Sequence, residues 1–515
     1  MKESFRQSML WLHSWLGVTT GWLLFFVFLT GTAGFVHVEI SRWMRPELPL
    51  VSHTPAAAET LAVAEQFLER KAPDAEFWSI FFPGQRGNDE LTMTWRAPRG
   101  QVQRAVLDLE TGQPVERRAR ETGGGVSLYV MHYALHYVSR DVAIAVVGAA
   151  AMMMLVSILT GVAGHKPALK DVSNLRARQS RVRWRSLHTL LGITALPFFL
   201  VMTWSGLVLF LFVYMPTAQT ALFPDDEAMM RFNVEAYFPP DRPYGESSIP
   251  IPPSITSLPD VLKRAETLWG PGGVVKIRVE NPGRASARVT AFTQRASIRG
   301  ETRVAFDVTT GAPMALPPPR TAVAKFQETI IGLHKGHYAR PYLRALYVVC
   351  GLAGTALVGT GLMHWSAKRK SRMTPHFATE VIERINLAMV IGLPIGVAAY
   401  FWANRLLPLA MTNRGAWEVH VLFITWGAAF LLAGGRPAKG AWQVLCALAA
   451  AAYGLIPVLN ALTTSRHLGV TVPAGDWGLA GFDIAAFAIG VFFAGLAWRT
   501  ETKASQAAMP TPVTA

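Results

Sequence analysis

The chain has 515 residues, 51% of them hydrophobic and 16% charged, with a formal net charge of +15. That balance excludes an ordinary soluble globular protein, in which about 25% of residues are charged. The two cysteines, Cys350 and Cys446, both inside apolar runs, argue against a disulfide framework or a cysteine-based metal site. The excess positive charge is concentrated in short loops between apolar runs, which points to membrane topology and not to nucleic acid.

The first apolar run, Leu16 to Val38, is too long for the core of a signal peptide, and no small-residue cleavage site follows it, so it is expected to stay as a helix. Windows of bilayer-spanning length predict eight spans, at about 14–38, 141–164, 187–214, 342–365, 386–406, 417–434, 440–460 and 478–498. The fold class expected is a mainly α membrane protein of about eight transmembrane helices. Its order would be a first helix (1–38), an outside segment (39–140), helices two and three with a basic loop (141–214), a second outside segment (215–341), helix four (342–370), a four-helix extension (371–500) and a disordered tail (501–515). Lys166, Lys170, Arg176, Arg178, Arg181, Arg183 and Arg185 crowd one short loop, and Lys368, Arg369, Lys370 and Arg372 another. The positive-inside rule makes both loops cytoplasmic. Both termini then lie inside, and the two long segments outside.

Each outside segment changes from helical to strand-like periodicity, as a small α+β unit would. In the first, a helix over 58–72 precedes Glu76–Phe82 and Leu91–Trp95. In the second, a helix near 257–269 precedes Val274–Val279 and Ala287–Ala291. Both close on Asp-x-x-Thr-Gly, at Asp108–Gly112 and Asp307–Gly311. That motif reads as a turn in which Gly takes positive φ and Asp bonds the turn backbone.

The membrane segments repeat as well. Leu12-His13 with Leu16-Gly17 returns as Leu187-His188 with Leu191-Gly192, and Gly31 and Phe35 return as Gly206 and Phe210. His132, His136 and Arg140 match His334, His337 and Arg340. Thr160-Gly161 with His165 matches Thr360-Gly361 with His364. The copies keep one orientation, so a pseudo-twofold axis along the membrane normal relates them. Equivalent histidines then share a depth and face each other, as the two axial ligands of a haem iron must. The inner pair expected is His13 with His188. His165 and His364 are able to exchange roles with them, and a mixed pair such as His13 with His364 stays open. The outer pair expected is His136 with His337, with His132 and His334 as second choice. Arg140 and Arg340 suit haem propionates or interface anchoring. His37, where the second copy has Phe212, is a weaker ligand candidate, and His420, beside Glu418 in a late span, is a weak candidate for a quinone or proton path.

These motifs over about residues 8–370 resemble the PepSY-associated transmembrane family, which includes iron-regulated inner-membrane proteins and ferric-siderophore reductases. The resemblance implies that the outside segments are PepSY-like domains in the periplasm of a bacterial inner-membrane protein. It also implies two b-type haems and electron delivery to a ferric-siderophore. The chain has neither a Gly-rich dinucleotide fingerprint nor a cytoplasmic domain large enough for flavin or nicotinamide, so the expected partner is a separate electron donor. The competing readings are a membrane-anchored PepSY binding or regulatory protein without haem, and a transporter for iron or siderophore. No buried acidic pair or broken helix for a coupling ion is legible in the sequence.

Overall fold

The computed structural model describes residues 2–508 except 49–55, 85, 88–89, 99, 110, 116–118, 165–179, 216, 218–219, 222, 224, 226, 231–241, 244–257, 285–286, 294–301, 308–312, 317–321 and 371–376. Most of the first basic loop, with His165, and the second Asp-x-x-Thr-Gly turn beyond Asp307 lie outside the described residues. The chain divides into two units. One comprises Met1–Pro46, Arg120–Tyr214 and Pro341–Ala515, and the other Glu47–Ala119 with Met215–Arg340.

The first unit is helical. Its spans begin with α1 (Lys2–Gly34), which continues after a break at Phe35–Val36 as α2 (His37–Trp43). The short α4 (Gly124–Ala134) leads to α5 (Arg140–Gly164). The third expected span is a bent pair, α6 (Ser180–Thr194) and α7 (Leu196–Leu209), with 71° between its halves. Pro197 at the start of α7 explains the break, since its ring cannot continue the preceding helix. The fourth span is α10 (Pro341–Lys370). Among the described residues seven helical segments meet the length and apolarity of a membrane span, and the bent pair makes eight if it is counted as one. α1 packs against α4, α5 and α10, and α10 against α6.

The C-terminal extension belongs to the same unit. It comprises α11 (Phe377–Leu406, with a π-helical turn at Ala388–Gly392), α12 (Arg414–Gly434), α13 (Ala438–Gly454), α14 (Ile456–Thr463) and α15 (Trp477–Ala508). Polar side chains lock it to the earlier helices. Trp22 Nε1 donates to Asn386 Oδ1 at 2.6 Å, and Asn386 Nδ2 donates to Ser366 Oγ at 2.9 Å. Tyr400 Oη donates to Gly124 O at 2.7 Å. Glu418 is fully buried and fully engaged. It accepts from Thr122 Oγ1 at 2.6 Å, Gly123 N at 3.0 Å and Asn404 Nδ2 at 2.7 Å, and pairs with the buried Arg414 at 2.6 Å. Such a carboxylate holds elements together, because every oxygen lone pair of consequence is already spent.

The second unit is α+β. The helix α3 (Ala57–Lys71) precedes β1 (Phe77–Phe81), β2 (Leu91–Arg96) and β3 (Val102–Leu107). The helix α8 (Leu258–Trp269) precedes β5 (Lys276–Glu280), β6 (Arg288–Thr293), β7 (Thr302–Asp307) and β8 (Pro313–Leu316), and β4 is the two-residue Arg242–Pro243. The two segments, read from sequence as separate α+β units, form one sheet in the order β3-β2-β1-β5-β6-β7-β8-β4. β1 pairs antiparallel with β5, Ser79 opposite Arg278 at the centre. One core serves both halves: Leu61, Leu68, Ile80 and Met93 pack in the same cluster as Val261, Ile277, Val289 and Phe306. The physical reason is the edge problem. The three strands β3-β2-β1 alone would leave the β1 edge unpaired and the five strands from β5 to β4 the β5 edge, and pairing the two edges satisfies both. The Asp108 turn forms as read, with Thr111 N donating to Asp108 Oδ1 at 3.0 Å and Gly112 at φ 64°. The helix α9 (Ala322–Lys335) closes this unit's chain ahead of Arg340.

Candidate functional site

In the helical unit the opening histidines of the two copies meet. His13 on α1 and His188 on α6 have ring centres 6.0 Å apart and ring planes at 66°. Each is held the same way. His13 Nδ1 lies 2.8 Å from Ser157 O, and His188 Nδ1 2.9 Å from Leu357 O. A carbonyl only accepts, so Nδ1 carries the proton in both rings, and Nε2 carries the lone pair of the neutral imidazole. Ser157 and Leu357 each stand four residues before a glycine that lies against the ring. A Cβ on Gly161 would come 3.1 Å from His13 Cε1, and one on Gly361 would come 3.1 Å from His188 Cε1. The Thr-Gly motifs are therefore the floor on which these imidazoles rest.

The spacing fits a metal between the rings. Two imidazoles on opposite sides of one ion, each bonded at about 2 Å, have ring centres about 6 Å apart. One helical turn further along, Gly17 has open space where a Cβ would project, and Gly192 meets only Leu357 Cδ1, at 3.5 Å. The second copy keeps His364 half-buried on α10, three residues beyond Gly361. Its counterpart His165 lies outside the described residues.

His132, on α4, is directed into α1. Its Nδ1 donates to Val27 O at 2.8 Å, and a Cβ on Gly31 would meet its Nδ1 at 2.5 Å. Burial holds its pKa below the ordinary imidazole value of 6.5. Gly31 thus admits the His132 ring. His136 follows α4 between two residues in the left-handed region, Leu135 (φ 54°) and Tyr137 (φ 61°). Neither is glycine, so this corner is strained where a candidate ligand sits. The His136 ring stacks on Phe423 at 5.5 Å and lies 6.4 Å from the His420 ring. The Tyr137 hydroxyl and His420 Nδ1 are hydrogen-bonded. Burial first, and then His420, lowers the pKa of His136. His420 had weak support from sequence because it has no repeat partner; only packing of α12 brings it beside His136. Arg140, the first residue of α5, lies over the Tyr133 ring at 5.8 Å. His37 packs between α2 and α4, with Nδ1 2.7 Å from Gly34 O and its ring stacked on Tyr129 at 5.5 Å.

In the α+β unit, His334 is half-buried in the last turn of α9. His337 follows the helix, and its Nε2 is buried without a hydrogen-bond partner among the described residues. Burial, then the charge of Lys335, lowers its pKa. A buried ring nitrogen left in this state needs an explanation, and a ligand is one. Arg340 is exposed immediately before α10. His132 and His136 belong to one unit, and His334 and His337 to the other.

Comparison with curated proteins gives no match. The family model described as the PepSY-associated TM region matches residues 10–368. The matched stretch begins just before His13 and ends just beyond His364, so every histidine with a repeat partner falls inside it, and His420 falls outside. The chain, a multi-pass helical membrane protein, belongs to the PepSY-associated transmembrane family.

Proposed function

We propose that this protein carries electrons through b-type haem across a bacterial inner membrane and reduces a periplasmic ferric-siderophore, releasing iron(II). The observation that carries this reading is the His13–His188 pair: two imidazoles 6.0 Å apart, each with Nδ1 bonded to a backbone carbonyl. Fixing Nδ1 sets the tautomer and aims Nε2, which is how proteins prepare an axial ligand. The same contacts in both copies support an internal duplication of the first four spans. The charged loops support cytoplasmic termini with residues 39–140 and 215–341 outside.

Bound haem would supply one-electron chemistry at a potential set by its ligands and burial. His13 and His188 hold the inner group. Gly17 and Gly192 leave room beside it, and Gly161 and Gly361 set the ring orientation. The repeat offers His136 and His337 as further ligands, with His132 and His334 as second choice. Burial lowers the pKa of His136 and of His337, which favours the neutral form that ligation requires, and the orphaned Nε2 of His337 supports its assignment. Arg140 and Arg340 are the guanidinium groups assigned in this reading to haem propionates. The electron comes from a separate donor: a reductase, a reduced flavin or a quinol. One electron converts iron(III) to iron(II), which hard oxygen ligands hold far less tightly.

The test is a reduced-minus-oxidised absorption spectrum of the detergent-purified protein, with haem quantified per chain. Low-spin b-type bands at about two haems per chain are expected. Protein without haem, from cells with ample haem supply, would overturn the reading and favour a membrane-anchored binding protein.

A further inference from the structure

We propose that Tyr137, His420 and the rings around them bind the headgroup of a membrane quinone, with its prenyl tail lying along α12. The binding does not depend on haem; only the use of a bound quinol as electron donor rests on the function proposed above. Two segments of the helical unit build the site. After α4 the chain turns through Leu135, at φ 54° and ψ −162°, and Tyr137, at φ 61°. The Leu135 angles lie close to a region that is nearly glycine-only, and such strain persists where the surroundings over-determine it, commonly at ligand sites. Beyond the turn the Tyr137 hydroxyl is hydrogen-bonded to His420 Nδ1, and the two rings lie nearly parallel, at 10° with centres 5.7 Å apart. Trp417 meets the His420 ring at a right angle, 5.3 Å away, and Phe423 lies 5.1 Å from Tyr137 and stacks on His136 at 5.5 Å. Aromatic packing alone explains neither the strained turn nor the exposure of Tyr137, which is 64%.

A quinone needs flat walls and a hydrogen-bond donor for its carbonyl, and the reduced quinol needs an acceptor for its hydroxyl. The Tyr137–His420 pair supplies either. When the hydroxyl donates to Nδ1, Nε2 carries the proton and donates; when Nδ1 donates to the hydroxyl oxygen, Nε2 carries a lone pair and accepts. Both arrangements are neutral, so both redox forms of one ring are met without a buried charge. Among the described residues nothing bonds His420 Nε2. His136 contributes a ring wall, and its nitrogens take no part. The surroundings select a ring carried in lipid. α5 and α12 are both of membrane-spanning length, and the site lies at the start of each. Trp417, His420, Ile424 and Leu431 follow at intervals of three, four and seven along one face of α12. Ile424 and Leu431 are exposed, so an apolar strip leads away from a polar aromatic end. A water-soluble ring would gain nothing from the strip, and a phospholipid has no flat ring for the walls.

The experiment uses the full chain in nanodiscs of neutral phospholipid and a photoreactive azido-decylbenzoquinone as probe, with labelled peptides located by mass spectrometry. Saturable labelling of peptides that contain Tyr137 or His420 is the expected result. Excess decylbenzoquinone should abolish it, and decylbenzene, with the same tail and a ring without carbonyls, should compete at least about tenfold less well. Tyr137→Phe and His420→Phe each keep a ring and remove the hydrogen bond, and each should weaken binding by about fivefold. Trp477→Phe, at an exposed ring on α15, should leave it within about twofold. A melting curve checks that each variant is folded, and the competition on the unaltered chain tests the idea without any variant. No saturable labelling, labelling confined to other peptides, or unaltered affinity in both Tyr137→Phe and His420→Phe overturns the proposal. So does equal competition by decylbenzene, which would make the patch a general lipid-facing surface. Labelling of a chain that proves to lack haem would sink the electron-transfer reading and leave this site standing; about two haems per chain without labelling would do the reverse.

Discussion

At the scale of single residues, the His13–His188 pair makes the sharpest prediction. If the pair holds haem as proposed, replacing either with alanine should lower the haem content from about two to about one per chain with loss of one set of bands. A spectrum unchanged by both substitutions would show that the rings merely pack. Three half-buried histidines also predict a pH dependence in protein prepared without haem. His132, His136 and His337 have folded pKa values depressed below 6.5, chiefly by burial. The unfolded chain therefore takes up protons before the folded one does. Their contribution to stability is complete above pH 6.5 and is lost as the pH falls through the depressed folded values. A detergent melting temperature that drops below pH 6.5, and drops less in His132→Asn, is the expected outcome; an identical acid response in the variant would count against it.

At the scale of elements, two contacts decide how the helices meet. Gly125 on α4 lies so close to α2 that a Cβ would sit 2.6 Å from His37 Cα. That neighbour is backbone and cannot turn away, so Gly125→Ala should cost about 1–3 kcal/mol through displacement of α2 from α4. Thermal melting measures it. The Arg414–Glu418 pair joins the extension to residues 120–125, since Glu418 also accepts from Thr122 and Gly123. Glu418→Leu leaves a buried guanidinium without its counter-ion and should cost about 3–5 kcal/mol. The double change Arg414→Met with Glu418→Leu should be less damaging than the single one, and a more damaging double change would refute the charge explanation.

At the scale of the whole molecule, the α+β unit is assembled from two distant stretches of chain. A fragment covering residues 56–119 carries α3 and β1–β3 but not β5, so its β1 edge is open. Expressed alone, that fragment should self-associate through this edge, as light scattering after size exclusion would show. A monomeric, folded fragment would mean that the two halves are independent after all.

The membrane class, the approximate position of the spans, the histidine repeat and the Asp108 turn are legible in the amino-acid order, although α1 begins at Lys2 and α11 at Phe377, well ahead of their apolar runs. These are written in local signals: apolar length, residue period, and glycine or aspartate at fixed offsets. Tertiary structure alone decided the rest. Periodicity shows that β1 and β5 have a buried face but not that their edges pair with each other, because backbone pairing leaves no mark on side-chain pattern. The 71° bend between α6 and α7 follows from Pro197, yet the apolar run is continuous across it. His420 and Glu418 are neighbours in sequence with different fates, one beside His136 and the other spent on Thr122, Gly123, Asn404 and Arg414. Two positions two residues apart on a helix face different neighbours, and which neighbours those are depends on how the helices pack.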